Sequence, residues 1–140
     1  MLKHPVKKLA CLLLAVLLLP VPITVSQKVD VNVFDKNDRP VIENTVRLDW
    51  EYRTFWTSAS NHALVKTDQA GHVFFPAQRY WSCLACEGLN SAFNLFTMGH
   101  AGFGSEASIV IYGSEPGSWP CGKNDLLPKQ IKLEKSPQTQ

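Results

Sequence analysis

Between Val46 and Arg53 the chain alternates without a break: Val46, Leu48, Trp50 and Tyr52 interleave with Arg47, Asp49, Glu51 and Arg53. A period of two sends successive side chains to opposite faces, so this segment is a strand with one dry face and one wet face. A dry face needs a second layer to cover it, and the flanking residues supply one. Val29, Val31 and Val33 alternate with Lys28, Asp30 and Asn32, and a turn follows at Asp35-Lys-Asn-Asp-Arg-Pro40. There Asn and Asp tolerate tight backbone geometry and proline fixes the direction of departure. Thr67-Asp-Gln-Ala-Gly71 then turns the chain into Val73 to Phe75, which Pro76 stops.

The remaining segments are read by composition. Thr57 to Asn61 is a loop and His62 to Lys66 a short strand. Ala77 to Asn90 holds Tyr80, Trp81, Cys83 and Cys86 without a sustained period and reads as loop or short helix, while Ser91 to Met98 is strand-like. Gly99 to Gly104 is too glycine-rich for regular structure, and Ala107 to Tyr112 resumes as a strand. Ser114 to Asp125 is irregular, Gln130 to Glu134 is a last edge strand, and 135–140 is a polar tail. About seven short strands with turns between them and no amphipathic helix predict a single small antiparallel β-sandwich, prealbumin-like or Ig-like, over residues 27–134.

Residues 1–26 have the order of a secretory signal. Lys3, Lys7 and Lys8 precede an apolar run from Leu9 to Leu19, Pro20 and Pro22 break it, and small Thr24 and Ser26 suit the positions before a cut. The expected mature chain therefore starts at Gln27, in the periplasm or outside the cell. The rival is an uncleaved N-terminal membrane anchor. Cys11 stands near the start of the apolar run, where a lipid-modified cysteine would not be. Of 14 Lys and Arg against 12 Asp and Glu, three lysines leave with the signal, so +2 becomes −1. No basic run remains to track nucleic acid.

From Val31 to Phe75 the pattern V-x-V-x-D, P-[VI], V-x-L and T-D-x-x-G-x-V-x-F resembles the carboxypeptidase regulatory-like and transthyretin-like superfamily of β-sandwich domains. The resemblance covers under half of the expected mature chain. It implies a sandwich that binds or supports and is not itself an enzyme. In the family a glycine precedes the residue before proline in the first turn. Asp38 stands there, and Asp is among the non-glycine residues that best accept positive φ. One enzymatic branch hydrolyses 5-hydroxyisourate with a first-strand histidine and a C-terminal Tyr-Arg-Gly-Ser. Here Asn32 and Glu-Lys-Ser-Pro-Gln-Thr-Gln occupy those places, so that activity is not implied.

Signal removal leaves Cys83, Cys86 and Cys121 in an oxidising compartment. The expected use is a structural bridge from Cys83 or Cys86 to Cys121, closing a loop that would stabilise the fold by about 4 kcal/mol. The alternative is a thiol-disulfide redox protein using Cys83 and Cys86 as a C-x-x-C pair. Zinc would need further ligands among His62, His72, His100 and Cys121, which show no ligand-module spacing, so no metal site and no cofactor is expected. The glycines of 99–104 lack the helix and Lys-Ser or Lys-Thr of a phosphate loop. No serine has a nucleophile-elbow context. With no catalytic residues to name, the loop aromatics Trp56, Trp81 and Trp119 are the candidate binding residues, for a protein or glycan partner.

Overall fold

In the computed structural model, residues 4–54, 57–97, 102–112, 117–122 and 125–134 are described. The chain runs α1 (His4–Leu17), β1 (Pro20–Ser26), β2 (Val29–Phe34), β3 (Thr45–Arg53), β4 (Ser58–Lys66), β5 (His72–Phe75), β6 (Gln78–Cys83), α2 (Leu84–Phe96), β7 (Gly104–Ile111), β8 (Ser118–Pro120) and β9 (Gln130–Lys132). The strands form a four-stranded sheet β4-β3-β7-β8, a three-stranded sheet β5-β2-β9 and a two-stranded β1-β6 pair. All pairings between these strands are antiparallel except β2 with β9. The fold is a small, mainly antiparallel β-sandwich, with nine strands among the described residues against about seven expected.

The core is what the alternation dictated. Val29, Val31 and Val33 of β2, with Val73, Phe75 and Ile131, face Val46, Leu48, Ile109 and Ile111 from the larger sheet, all 2% exposed or less. Burying such aliphatic side chains contributes roughly 1.5–3 kcal/mol each before entropy is charged. Arg47, Asp49, Glu51 and Arg53 stand on the wet face, ion-paired within the strand as Arg47 with Asp49 and Arg53 with Glu51, both at 2.8 Å.

Both turns close by side-chain chemistry. Asp35 accepts the N–H groups of Asn37 and Arg39 at 2.8 and 2.9 Å, and Asp38 takes φ 60° in the place where the resembled family has glycine. Asp68 accepts from the N–H groups of Ala70 and His72 at 2.8 and 2.9 Å. Gly71 follows at φ 73°, where a Cβ would lie 2.5 Å from the Val33 carbonyl oxygen. That carbonyl belongs to the middle strand of the three-stranded sheet, so this turn and β2 hold each other in place.

Five segments differ from expectation, the first being Gln78–Cys83, read as loop or short helix and found as strand β6. Ser91 to Phe96 is helical, as part of α2, because its inward residues Cys86, Glu87, Asn90, Phe93 and Asn94 follow a helical spacing that mixed polarity conceals. Ser58 to Asn61 is strand, because its backbone pairs with Trp50 to Arg53 whatever its side chains prefer. Ser118–Pro120 pairs with β7 inside the stretch read as irregular. Pro20–Ser26, read as the exit of the leader, is β1. No described helix is long and apolar enough to cross a membrane.

Gly71→Ala is expected to cost about 2 kcal/mol or more, since left-handed backbone is unfavourable for alanine and the added carbon meets a sheet carbonyl. Urea denaturation checks this, and an unchanged midpoint would contradict the assigned turn. A second expectation concerns acid. Lys28 first and His72 second hold the Asp30 carboxyl below its ordinary value of 3.8, and hydrogen bonds from the His72 and Ala70 backbone do the same for Asp68. A lowered folded value means the contribution is whole above 3.8 and is lost as pH falls through the lowered value. Midpoints measured downward from about pH 6 should fall below about pH 4, with the drop shallower in Asp68→Ala.

Candidate functional site

Strand β6 runs directly into α2, and the two cysteines of the C-x-x-C lie at that junction. Cys83 is the N-cap residue of α2, with φ −113° and ψ 153°, and its Sγ accepts the N–H of Cys86 at 3.0 Å. A cap residue of extended backbone presents its side-chain acceptor to the unsatisfied N–H groups of the first turn, a role usually taken by Ser, Thr, Asp or Asn. Cys83 and Cys86 are bonded to each other, with Cα atoms 5.0 Å apart. Both are half-buried, beside exposed Trp81 and Leu84.

This corrects the expected bridge to Cys121. That residue follows β8 as a free, fully buried thiol. It is packed in the sandwich core, and its Sγ lies 3.8 Å from Ser26 Oγ. Burial first, and the charge of Asp125 further, push the Cys121 thiol above its ordinary pKa, while Ser26 pulls it down. It is a structural thiol with low thiolate content.

Behind the disulfide a polar cluster ties α2 to the sandwich. The Tyr52 hydroxyl donates to Glu87, Ser82 Oγ donates to Glu87 Oε1 at 2.8 Å, and Asn90 Nδ2 donates to the Tyr52 oxygen at 3.3 Å. Asn90 is 4% exposed, and its Oδ1 is the buried side-chain oxygen that lacks a partner among the described residues. Burial, then the neighbouring Glu87 carboxylate, push the Tyr52 phenol up to about 12. Its ring also packs on Tyr80, with centroids 5.1 Å apart.

A second feature lies on the wet face of the four-stranded sheet. Asp49 stands opposite His62 and Ser108, and Glu51 opposite Ser60 and Glu106, so the centre of the face is acidic. Together with Asp125 these residues line an open groove of about 1090 Å³. Glu51 directly facing Glu106 costs stability unless a cation intervenes, and Arg53 partly supplies one.

The aromatic candidates do not converge. Trp81 is on β6, exposed to 66%; Trp119 is on β8, packed against the core with its ring over Gly117; Trp56 lies outside the described residues. Among the histidines considered for zinc, His72 is held by Asp30 at 2.9 Å and His62 is on the groove, while His100 lies outside the described residues. Among the described residues, no three His, Cys, Asp or Glu side chains gather as a metal site. What sequence reasoning missed is the helix cap itself. The signal was present in Cys83 followed by Glu87, an acceptor and then an acid in the first turn, but neither is a usual capping pair.

Comparison of the chain with protein-family models, with curated proteins and with solved structures gave no match.

The Tyr52 environment has a direct readout. Ultraviolet titration should show a tyrosine ionising near pH 12. Because the folded value is raised above the ordinary 10.0, the stability it carries is present below 10 and is lost as pH rises through 12. In Tyr52→Phe that late step disappears. A wild-type protein whose tyrosines all ionise near pH 10 would contradict the cluster.

Proposed function

We propose that this chain is a secreted or periplasmic β-sandwich module of the carboxypeptidase regulatory-like class whose working element is the Cys83–Cys86 pair, exchanging thiols and disulfides with a protein partner. The observation that carries this reading is the position of the pair. The two cysteines are bonded to each other at the cap of a 13-residue helix, with the third cysteine buried elsewhere. A bridge across so short a segment adds only about 2 kcal/mol on the chain-entropy model, half of what a bridge to Cys121 would add, so fold stabilisation is a weak reason for it.

The cap supplies the chemistry. In the reduced form Cys83 Sγ sits where the Cys86 N–H and the positive end of the helix favour negative charge, which lowers a thiol pKa. Glu87, in the same turn, pulls the other way, and the bonds it accepts from Tyr52 and Ser82 offset part of its charge. The Cys83 thiolate attacks one sulfur of a partner disulfide, the partner's other sulfur leaves as thiolate, and a mixed disulfide forms. Cys86, on losing its proton, attacks Cys83 Sγ, releases the partner's second sulfur and restores the Cys83–Cys86 bond. The partner is reduced and the pair oxidised; run backward, a partner dithiol is oxidised. Trp81 and Leu84 give a partner peptide an apolar surface beside the sulfurs.

Alkylation of the reduced protein against pH should give a thiol pKa at Cys83 below the ordinary 8.5. Cys86→Ser, which cannot resolve the intermediate, should accumulate a mixed disulfide with a disulfide-bearing substrate protein. An ordinary Cys83 pKa together with no trapped adduct would refute thiol exchange.

A second reading is favoured by the acidic groove: a non-enzymatic module that binds a cationic segment of a protein on the wet face of the four-stranded sheet. Binding of a Lys- and Arg-rich peptide that weakens with salt and is lost in Glu51→Gln with Glu106→Gln would support it. Binding insensitive to those changes would remove it.

A further inference from the structure

Strand β1 occupies the stretch whose last residues, Thr24 and Ser26, are the small pair suited to signal cleavage. Its place in the fold is internal. Val25 and Ser26 are both 0% exposed, the Gln27 N–H is bonded to the Cys121 carbonyl at 3.2 Å, and Ser26 Oγ lies over Cys121 Sγ. Along its length it pairs with β6, with Pro20 opposite Cys83, Pro22 opposite Trp81 and Ile23 opposite Tyr80. It also touches β3 and β7 of the four-stranded sheet.

The prolines fit this role. Residues two apart in a strand direct their N–H groups to the same edge, so Pro20 and Pro22 both remove donors from one side and leave the other free to pair. The missing donors also keep that bare edge from recruiting another strand. A segment that reads as the broken end of a leader therefore has the pattern of a strand paired on one edge.

Among the described strands, β6 pairs with β1 alone. Strand β6 carries Tyr80 against Tyr52 and Trp50, ends at Cys83 and leads into α2. Cleavage after Ser26 would remove the whole of β1, leave β6 without a strand neighbour and open the Cys121 side of the core to water. Cleavage on the N-terminal side of Pro20 leaves every strand pairing intact, because it removes only residues that are exposed from 6 to 19, with α1 touching α2.

We propose that Pro20–Ser26 is retained in the mature protein as the strand that anchors β6 and the Cys83–Cys86 helix end, so that any removal of the leader takes place on the N-terminal side of Pro20. This holds whether or not the pair exchanges thiols.

Two measurements on the full chain test it. The first is the intact mass and N-terminal peptide of protein exported by an expressing cell. A first residue at or before Pro20 is expected, and any first residue from Val21 onward, Gln27 included, overturns the proposal. The second is hydrogen exchange with thiol alkylation on Val25→Ala, a change that leaves a small core cavity without adding charge. Amides of 78–83 and the first turns of α2 should exchange at least tenfold faster, and Cys121 should be alkylated faster, with β2 and β5 unchanged. Unaltered exchange across 78–86 overturns the anchoring role even if the N-terminus is as expected.

Discussion

Strand β3 pairs on both edges, with β4 on one side and β7 on the other, from Thr45 or Val46 to Arg53. Its two faces set what everything else can be. The inner face places Val46 and Leu48 against the β2 valines and so makes the sandwich. The same face, two of its positions beyond Leu48, turns Tyr52 toward Ser82, Glu87 and Asn90 and so fixes where α2 can lie. The outer face carries the Arg-Asp-Glu-Arg order, ion-paired within the strand and acidic at its centre. Core, helix end and groove are three consequences of one alternating octapeptide.

This dependence explains how the candidate site is held. A disulfide confined to one helical turn cannot fasten that helix to anything else. Attachment of α2 to the body passes instead through the Tyr52 hydroxyl, through Asn94 and Phe93 against Phe103, and through its junction with β6 in the β1–β6 ladder. Among the described residues Asn90 Oδ1 has no partner, and an unmet buried acceptor is costly. The bonds of the cluster set the orientation of the first turns of α2.

Much of the sandwich was legible because its signals are local. Alternation in Val46 to Arg53 and Val29 to Val33 survives any tertiary context. Asp35, Asp38, Asp68 and Gly71 act through bonds and φ angles within a few residues of themselves. The parts that were not legible depend on partners distant in sequence. Ser58 to Asn61 extends because β3 offers a ladder, not because serine and asparagine favour strands. Helix α2 buries Asn90 and half-buries Glu87, Phe93 and Asn94, while Leu84, Leu89, Leu95 and Phe96 are exposed, so the side it packs is not its most apolar side. A hydrophobic period cannot report which side of such a helix packs. The cysteine pairing was out of reach for the same reason: spacing allowed a bridge to Cys121, whereas the fold joins Cys83 to Cys86 and buries Cys121 against Ser26.

The central claim is that Cys83 and Cys86 form a self-contained pair at the start of α2. Non-reducing peptide mapping by mass spectrometry, on protein from its native compartment alkylated before digestion, tests it most directly. The account predicts a peptide containing the Cys83–Cys86 bond, lost after mild reductant, and a separate Cys121 peptide whose thiol is free until the protein is unfolded. A peptide linking Cys121 to either Cys83 or Cys86 would contradict the site, the exchange chemistry and the packing of Cys121 together.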